Sequence, residues 1–132
     1  MRLPALLVAA LACLGAQSAA AAGDGSPFRV FFDWGKPELT RDAEATLAEV
    51  LAAYRQSQPA RVSVAGHTDR SGSAAVNLAA SRRRAEAVRA RLIALGVPAS
   101  AIVVSAFGET RPIVPTEDGV REAQNRRVEI RF

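Results

Sequence analysis

Residues 66–92 read GHTDRSGSAAVNLAASRRRAEAVRARL, a polar stretch that runs directly into a helix-forming one. The apolar positions of the second part recur every three to four residues, which is the spacing of one face of an α-helix. The residues predicted to form this inward-facing row, with a serine filling one position, are Leu78, Ser81, Ala85, Val88, Leu92 and Leu95. The stretch therefore predicts a polar loop followed by an amphipathic helix, and Gly96 with Pro98 just beyond it predicts the helix end.

Two charged residues of this stretch are predicted to lie near each other. Asp69 is on the loop, whereas Asn77 and Arg84 are two helical turns apart and share a helix face with Ala80. That face borders the inward row and looks back toward the loop that carries Thr68 and Asp69. A carboxylate accepts from an ammonium and an arginine donates to a carboxylate, so the pair predicts a site for a zwitterionic ligand.

The remaining patterns predict four strands and a first helix. The strands are expected at residues 28–33, 61–65, 102–107 and 127–132, and the first helix between an N-cap at Thr40 and about Ser57. Crossover helices of this length imply parallel neighbouring strands. Two of the strands keep a polar face, so helices should cover only one side of the sheet. The predicted fold class is α+β, a βαβαββ two-layer sandwich with a mixed four-stranded sheet and both helices on one face.

The N-terminal residues have the pattern of a secretory signal. Arg2 precedes the apolar segment Leu3–Gly15, and small residues follow at 18–22. The apolar segment is shorter than the ~20 residues that span a bilayer, and cleavage is expected after Ala20 to Ala22. The predicted division is a signal peptide at residues 1–22, a flexible junction at 23–27 and one domain at 28–132.

The single cysteine, Cys13, lies inside this signal and leaves two interpretations open. It is either an apolar residue that leaves with the signal or a lipidation site that makes the protein a lipoprotein. The preceding Ala10-Leu11-Ala12 matches a lipobox only loosely, because the bulky residue is expected one place earlier. Lipidation would associate the protein with the outer membrane.

The formal net charge is +4, and nearly all the basic residues are arginine, with Lys36 the only lysine. A basic balance can indicate nucleic-acid binding. Export argues against nucleic acid, and no aromatic platform interleaves with the arginines. An anionic polymer outside the cytoplasm is the better match.

No catalytic constellation accompanies the only histidine, His67. No nucleophile, second imidazole or set of metal ligands is paired with it, so packing in the loop is favoured, and neither an enzyme, a metal nor a cofactor is expected.

The roles of several other residues stay open. Asp69 could instead fix its own loop. Trp34 could cover the site or pack on the sheet. Arg126 and Arg127 could brace the site or the last strand, or contact the ligand directly.

The motif GHTDRSGS with Asn, Ser and RRAEAVRARL behind it resembles the OmpA-like C-terminal domain, a peptidoglycan-binding family shared with the peptidoglycan-associated lipoprotein and flagellar MotB. The matching residues are Thr68-Asp69, Ser81, Arg84-Ala85, Val88 and Leu92, with flanking matches at Phe32-Asp33, Leu39, Phe107-Gly108-Glu109 and residues 125–130. One departure is Ala80, where the family usually has leucine. The resemblance covers residues 28–132.

This resemblance implies non-covalent binding of peptidoglycan at the meso-diaminopimelate of its stem peptide. By family position Asp69 takes the ammonium and Arg84 the carboxylate, while Asp33, Thr68 and Asn77 line the pocket. It also implies a non-enzymatic tether in the periplasm of a Gram-negative bacterium, where a homodimer would raise retention by avidity. The alternative is an interaction domain of the same fold that has lost peptidoglycan binding and contacts another envelope protein.

Overall fold

A computed structural model describes residues 25–132, so the predicted signal peptide, Cys13 and the expected cleavage site lie outside the described residues. The regular elements are β1 (Phe28–Phe31), α1 (Arg41–Ser57), β2 (Val62–Gly66), α2 (Ala74–Ala94), β3 (Ile102–Ala106) and β4 (Arg127–Arg131). Short 3-10 turns at Ala99–Ala101 and Ala123–Asn125 precede β3 and β4. Among residues 25–132, neither helix has the length and apolar content needed to cross a membrane.

The four strands form one mixed sheet in the order β1–β4–β2–β3, which confirms the predicted fold class. β2 and β3 are parallel neighbours joined by α2, as the crossover rule predicts. The rule is wrong for α1, because β4 lies between β1 and β2 and pairs antiparallel with both. This insertion brings Val128 opposite Val30 and Ile130 opposite Val64, so the last strand completes the apolar face of the sheet.

Both helices pack on that apolar face. Alternate residues of the strands point toward the helices, as the two-residue period of a strand requires. The fully buried side chains of this core include Val30, Val62, Val64, Val128 and Ile130 from the sheet and Leu47, Val50, Val88 and Leu92 from the helices. Thr40 caps α1 as predicted, its Oγ1 accepting from the Ala43 N–H at 3.1 Å.

The inward row of α2 departs from prediction at its first member. Ala85, Val88 and Leu92 are fully buried, but the Leu78 side chain is 48% exposed. Asn77 takes the inward position instead, because its amide donates to the Asp69 carbonyl at 3.3 Å and so ties the helix start to the preceding loop. The first turn of α2 therefore faces a polar loop rather than the apolar core.

The other face of the sheet carries no helix and is partly covered by the loop at residues 107–126. Glu129 lies there between Arg29 and Arg127, each with its Nε 3.2 Å from the carboxylate. Arg127 also donates to the Arg111 carbonyl at 2.9 Å, which fastens the loop to β4. The loop is thereby held in place beside the end of the sheet where β4 begins.

Candidate ligand-binding site

Three loops meet at one edge of the sheet. β1, β2 and β3 all end there, and β4 starts there, because β4 is antiparallel to β1 and β2. Residues 32–40, 67–73 and 107–126 therefore lie close together, a place where ligands commonly bind in sheets with parallel strands. Asp33, Asp69 and Arg126 come from these three loops.

Asp69 is buried, with 2% of its surface exposed, and all its partners come from the protein. Its Oδ1 accepts from the Ser71 N–H at 3.2 Å and the Ser71 hydroxyl at 2.5 Å. Its Oδ2 accepts from the Glu122 N–H at 3.2 Å and from Arg126 at 2.9 Å. Burial alone raises the pKa of this carboxyl, but these hydrogen bonds outweigh burial and hold the pKa below its usual value.

Arg84 is also buried, at 3% exposure, and its guanidinium donates only to backbone carbonyls. Nε reaches the Lys36 oxygen and Nη2 the Asp33 oxygen, both at 3.3 Å, while Nη1 makes a longer 3.5 Å contact with the His67 oxygen. Within residues 25–132, no carboxylate is at ion-pair distance from this guanidinium. Its charge is therefore balanced by carbonyl dipoles and by the face of the Phe32 ring, whose centre lies 5.5 Å from the guanidinium carbon, and not by an anion.

Asp69 and Arg84, which were predicted to lie near each other, therefore form no ion pair with each other. They still interact electrostatically: burial lowers the pKa of Arg84 most, the charge of Arg126 lowers it further, and Asp69 raises it. Arg126 is the ion-pair partner of Asp69, which matches the bracing role considered for it. The arrangement places the guanidinium groups of Arg84 and Arg126 near the carboxylate of Asp69.

The other predicted site residues lie around this pair. Asp33 is exposed at the mouth and Asn77 supports the Asp69 backbone. The Thr68 hydroxyl is buried and has no hydrogen-bond partner in the described protein. A groove of about 410 Å³ is lined by Asp33 and Arg126, which contact Arg84 and Asp69, whereas Asp69 and Arg84 themselves lie behind its wall.

Comparison with known proteins gives the family. A model of the OmpA family matches residues 31–126, which is most of the chain. The chain belongs to the OmpA family. This confirms the resemblance carried by the sequence motif.

Members of the OmpA family similar to this chain include outer membrane proteins and lipoproteins. An outer membrane protein of Gluconacetobacter diazotrophicus is 43% identical over 78% of this chain, which covers 29% of that relative. A peptidoglycan-associated lipoprotein of Mesorhizobium japonicum is 35% identical, with 86% of this chain and 73% of the relative covered. The crystal structure of the peptidoglycan-associated lipoprotein of Burkholderia pseudomallei superimposes with a TM-score of 0.65 at 31% identity, covering 77% and 86%. The chain thus spans less than a third of the outer membrane protein but most of each lipoprotein.

Three residues of this candidate site in the OmpA-family domain were not predicted from the sequence. Ser71 and Glu122 bond Asp69, and Arg121 stacks on Trp34. A serine two residues after an aspartate is a recognisable turn pattern and could have been found. The two loop residues come from more than fifty positions away, in a segment without periodicity, and no local pattern indicates them.

His67 is packed inside the OmpA-family domain, as the sequence favoured. It is 3% exposed, its ring stacks on Phe107 with 5.5 Å between centroids, and neither ring nitrogen has a hydrogen-bond partner. Burial, with the charge of Arg127, lowers its pKa from 6.5 to about 4. Among residues 25–132 no cluster of metal-ligand side chains is present.

We expect His67→Phe to make the domain less sensitive to acid. Because the folded state holds the imidazole neutral, its contribution to stability is complete above pH 6.5 and is lost as pH falls toward 4. The shift corresponds to about 3 kcal/mol, and phenylalanine can keep the ring stack without a proton-binding site. Urea unfolding at pH 7 and pH 4.5 measures the difference between the two proteins.

The folded state lowers the pKa of Asp69 from 3.8 and that of Glu129 from 4.5, so the stability that these carboxyls contribute is lost mainly below those pH values, in both proteins. A wild-type protein that loses no more stability than His67→Phe between these two pH values would contradict the assignment.

Proposed function

We propose that this domain binds peptidoglycan non-covalently through the meso-diaminopimelate of the stem peptide. The far end of that residue carries an ammonium and a carboxylate on one carbon. Relatives named peptidoglycan-associated lipoproteins, similar over most of their length, support the polymer as the ligand. The opposite charges of Asp69 and Arg84 support the diaminopimelate tip as the part of the polymer that is bound.

The observation that carries the proposal is the buried guanidinium of Arg84 without an anion. Burying an unpaired charge costs several kcal/mol, so a protein rarely keeps one without a function for it. Three backbone carbonyls hold the guanidinium in place. A ligand carboxylate would supply the missing counter-charge through charge-assisted hydrogen bonds.

Asp69 offers the complementary half, since its carboxylate stays ionised over the physiological range. Arg126 forms an ion pair with Asp69 without ligand, and Arg126 also lines the open groove. A ligand ammonium entering from the groove would share or replace that contact. The unpartnered Thr68 hydroxyl lies next to Asp69 in sequence and would gain a partner from the same ligand.

The proposed role is a non-catalytic tether to the cell wall in the periplasm. Peptidoglycan repeats the same stem many times, so weak single-site binding can still give firm retention through rebinding or dimerisation. A second envelope protein as partner is the competing function, and the same experiment separates it.

We expect the protein to co-sediment with purified diaminopimelate-type sacculi and to release no soluble fragments from them. Amidation of the diaminopimelate carboxylate should weaken binding at least about tenfold, because it removes the charged partner of Arg84. Sacculi of the same preparation, native and amidated, give the matched comparison. Equal binding to both would contradict the assignment, released fragments would indicate an enzyme, and no binding to either would favour the interaction domain.

A further inference from the structure

Trp34 and Arg121 form a stacked pair over the loop that holds Asp69. The Arg121 guanidinium carbon lies 3.6 Å from the centre of the Trp34 ring. The indole N–H of Trp34 donates to the Ser71 hydroxyl at 3.0 Å, and that hydroxyl donates to Asp69. The pair therefore joins all three loops of the site, and both residues remain exposed to solvent.

Stacking leaves the hydrogen-bonding edge of Arg121 unused. A guanidinium presents its N–H donors in its own plane, so contact through its face leaves those donors directed outward. Within residues 25–132, the Arg121 side chain makes no ion pair and no hydrogen bond, and it stacks on the Trp34 ring. The ring restricts the side chain, so less entropy is lost when an anion binds.

The pair also lies within reach of the proposed ligand. Arg121 directly precedes Glu122, whose backbone N–H bonds Asp69, and neighbouring α-carbons are only about 3.8 Å apart. Trp34 is also linked to Asp69 through the Ser71 hydroxyl, so a peptide held at its tip by Asp69 and extending over this loop would pass the stacked pair. Its next charged groups would then meet an arginine that has no other partner.

We propose that Arg121, oriented by Trp34, forms a second anion subsite that binds another carboxylate of the same stem peptide. The inference rests on the proposed function and adds a group to it. Besides the carboxylate at the diaminopimelate tip, the stem peptide carries a free carboxylate on the neighbouring glutamate and, where the stem ends at diaminopimelate, a second one at the inner end of that residue. The subsite would make the protein prefer a longer acidic stem to the isolated amino-acid tip.

Calorimetric titration with the synthetic tripeptide L-Ala-γ-D-Glu-meso-diaminopimelate tests this subsite. Three forms are used: the free tripeptide, one amidated on the glutamate carboxylate and one amidated on the inner diaminopimelate carboxylate. We expect Arg121→Gln, which keeps a planar amide on the ring, to bind the free tripeptide about fivefold more weakly than wild type. One of the two amidations should weaken wild type equally and leave Arg121→Gln unchanged, which identifies the carboxylate bound.

Arg111→Gln is the matched control, because Arg111 is exposed on the same loop and lies 3.7 Å over the Phe107 ring without an ion pair. It removes the same charge and a similar stack, and should bind like wild type. Equal affinity of Arg121→Gln and wild type for the free tripeptide would overturn the subsite and leave the proposed function standing. The subsite would also be overturned if Arg121→Gln bound both amidated tripeptides more weakly than wild type does, because the loss of affinity would then come from a structural effect of the substitution. No binding of any form by wild type would reject the proposed function and the subsite together.

Discussion

Alanine at position 66 is expected to lower the free energy of unfolding by at least ~3 kcal/mol. Gly66 is the last residue of β2, and α2 crosses it so closely that an added Cβ would lie 1.9 Å from the Ser81 carbonyl oxygen and 2.7 Å from its carbon. Both atoms are backbone, so no side-chain rotation can relieve the overlap. The helix would have to move away from the sheet and separate Ala85 from the core.

Urea unfolding followed by circular dichroism measures this loss, and the melting temperature should fall by more than ~12 °C. Gly96→Ala is the matched control: its φ of 111° strains any side chain, but nothing lies within 4 Å of an added Cβ. That variant should lose only about 1 kcal/mol from backbone strain. Equal losses in the two variants would mean that the close helix approach is not what requires glycine at position 66.

The surroundings of α2 show which parts of the fold were predictable from sequence. The apolar period of α2 gave the helix and its buried residues Ala85, Val88 and Leu92 because those side chains meet the core. It was wrong at Leu78, because there the helix meets a polar loop and Asn77 is turned inward by its bond to Asp69. A pattern of apolar residues describes packing against a core and contains no information about such a loop.

The strand order shows a similar limit. Connection rules predict neighbours for strands joined by a crossover, and they succeed for β2 and β3. The position of β4 between β1 and β2 depends on pairings between residues about a hundred positions apart, such as Val30 with Val128. Composition and periodicity cannot assign such a pairing to one register.

The sequence predicted which residues of the candidate site lie close together, but not the contacts that they make. The spacing of Asn77 and Arg84 correctly indicated a face that looks back to the loop, and Arg84 does reach the His67 carbonyl. The partner of Asp69 was not assigned, because Arg126 is 57 residues away and is positioned by the last strand. The sequence could therefore identify Asp69 and Arg84, whereas the partners that each has without ligand depend on the tertiary structure.

Replacing Arg84 by glutamine is expected to weaken binding to sacculi at least ~100-fold. The change removes the charged donor that would bind the ligand carboxylate, and a hydrogen-bonded charge pair of this kind contributes about 3 kcal/mol. Arg84→Lys keeps the charge but loses the planar set of donors, so its loss should be smaller, about tenfold. Co-sedimentation over a range of protein concentrations, with calorimetric titration of the stem tripeptide, measures both variants.

The glutamine variant should remain folded, because the effects on stability oppose each other. Three carbonyls lose their donor, at Asp33, Lys36 and His67, but a buried charge without a counter-ion is removed at the same time. Thermal unfolding checks this, and Arg82→Gln, on the exposed side of α2, controls for net charge on an anionic polymer. If folded Arg84→Gln binds as tightly as Arg82→Gln, the buried guanidinium serves the protein's own loops and the ligand carboxylate is bound elsewhere.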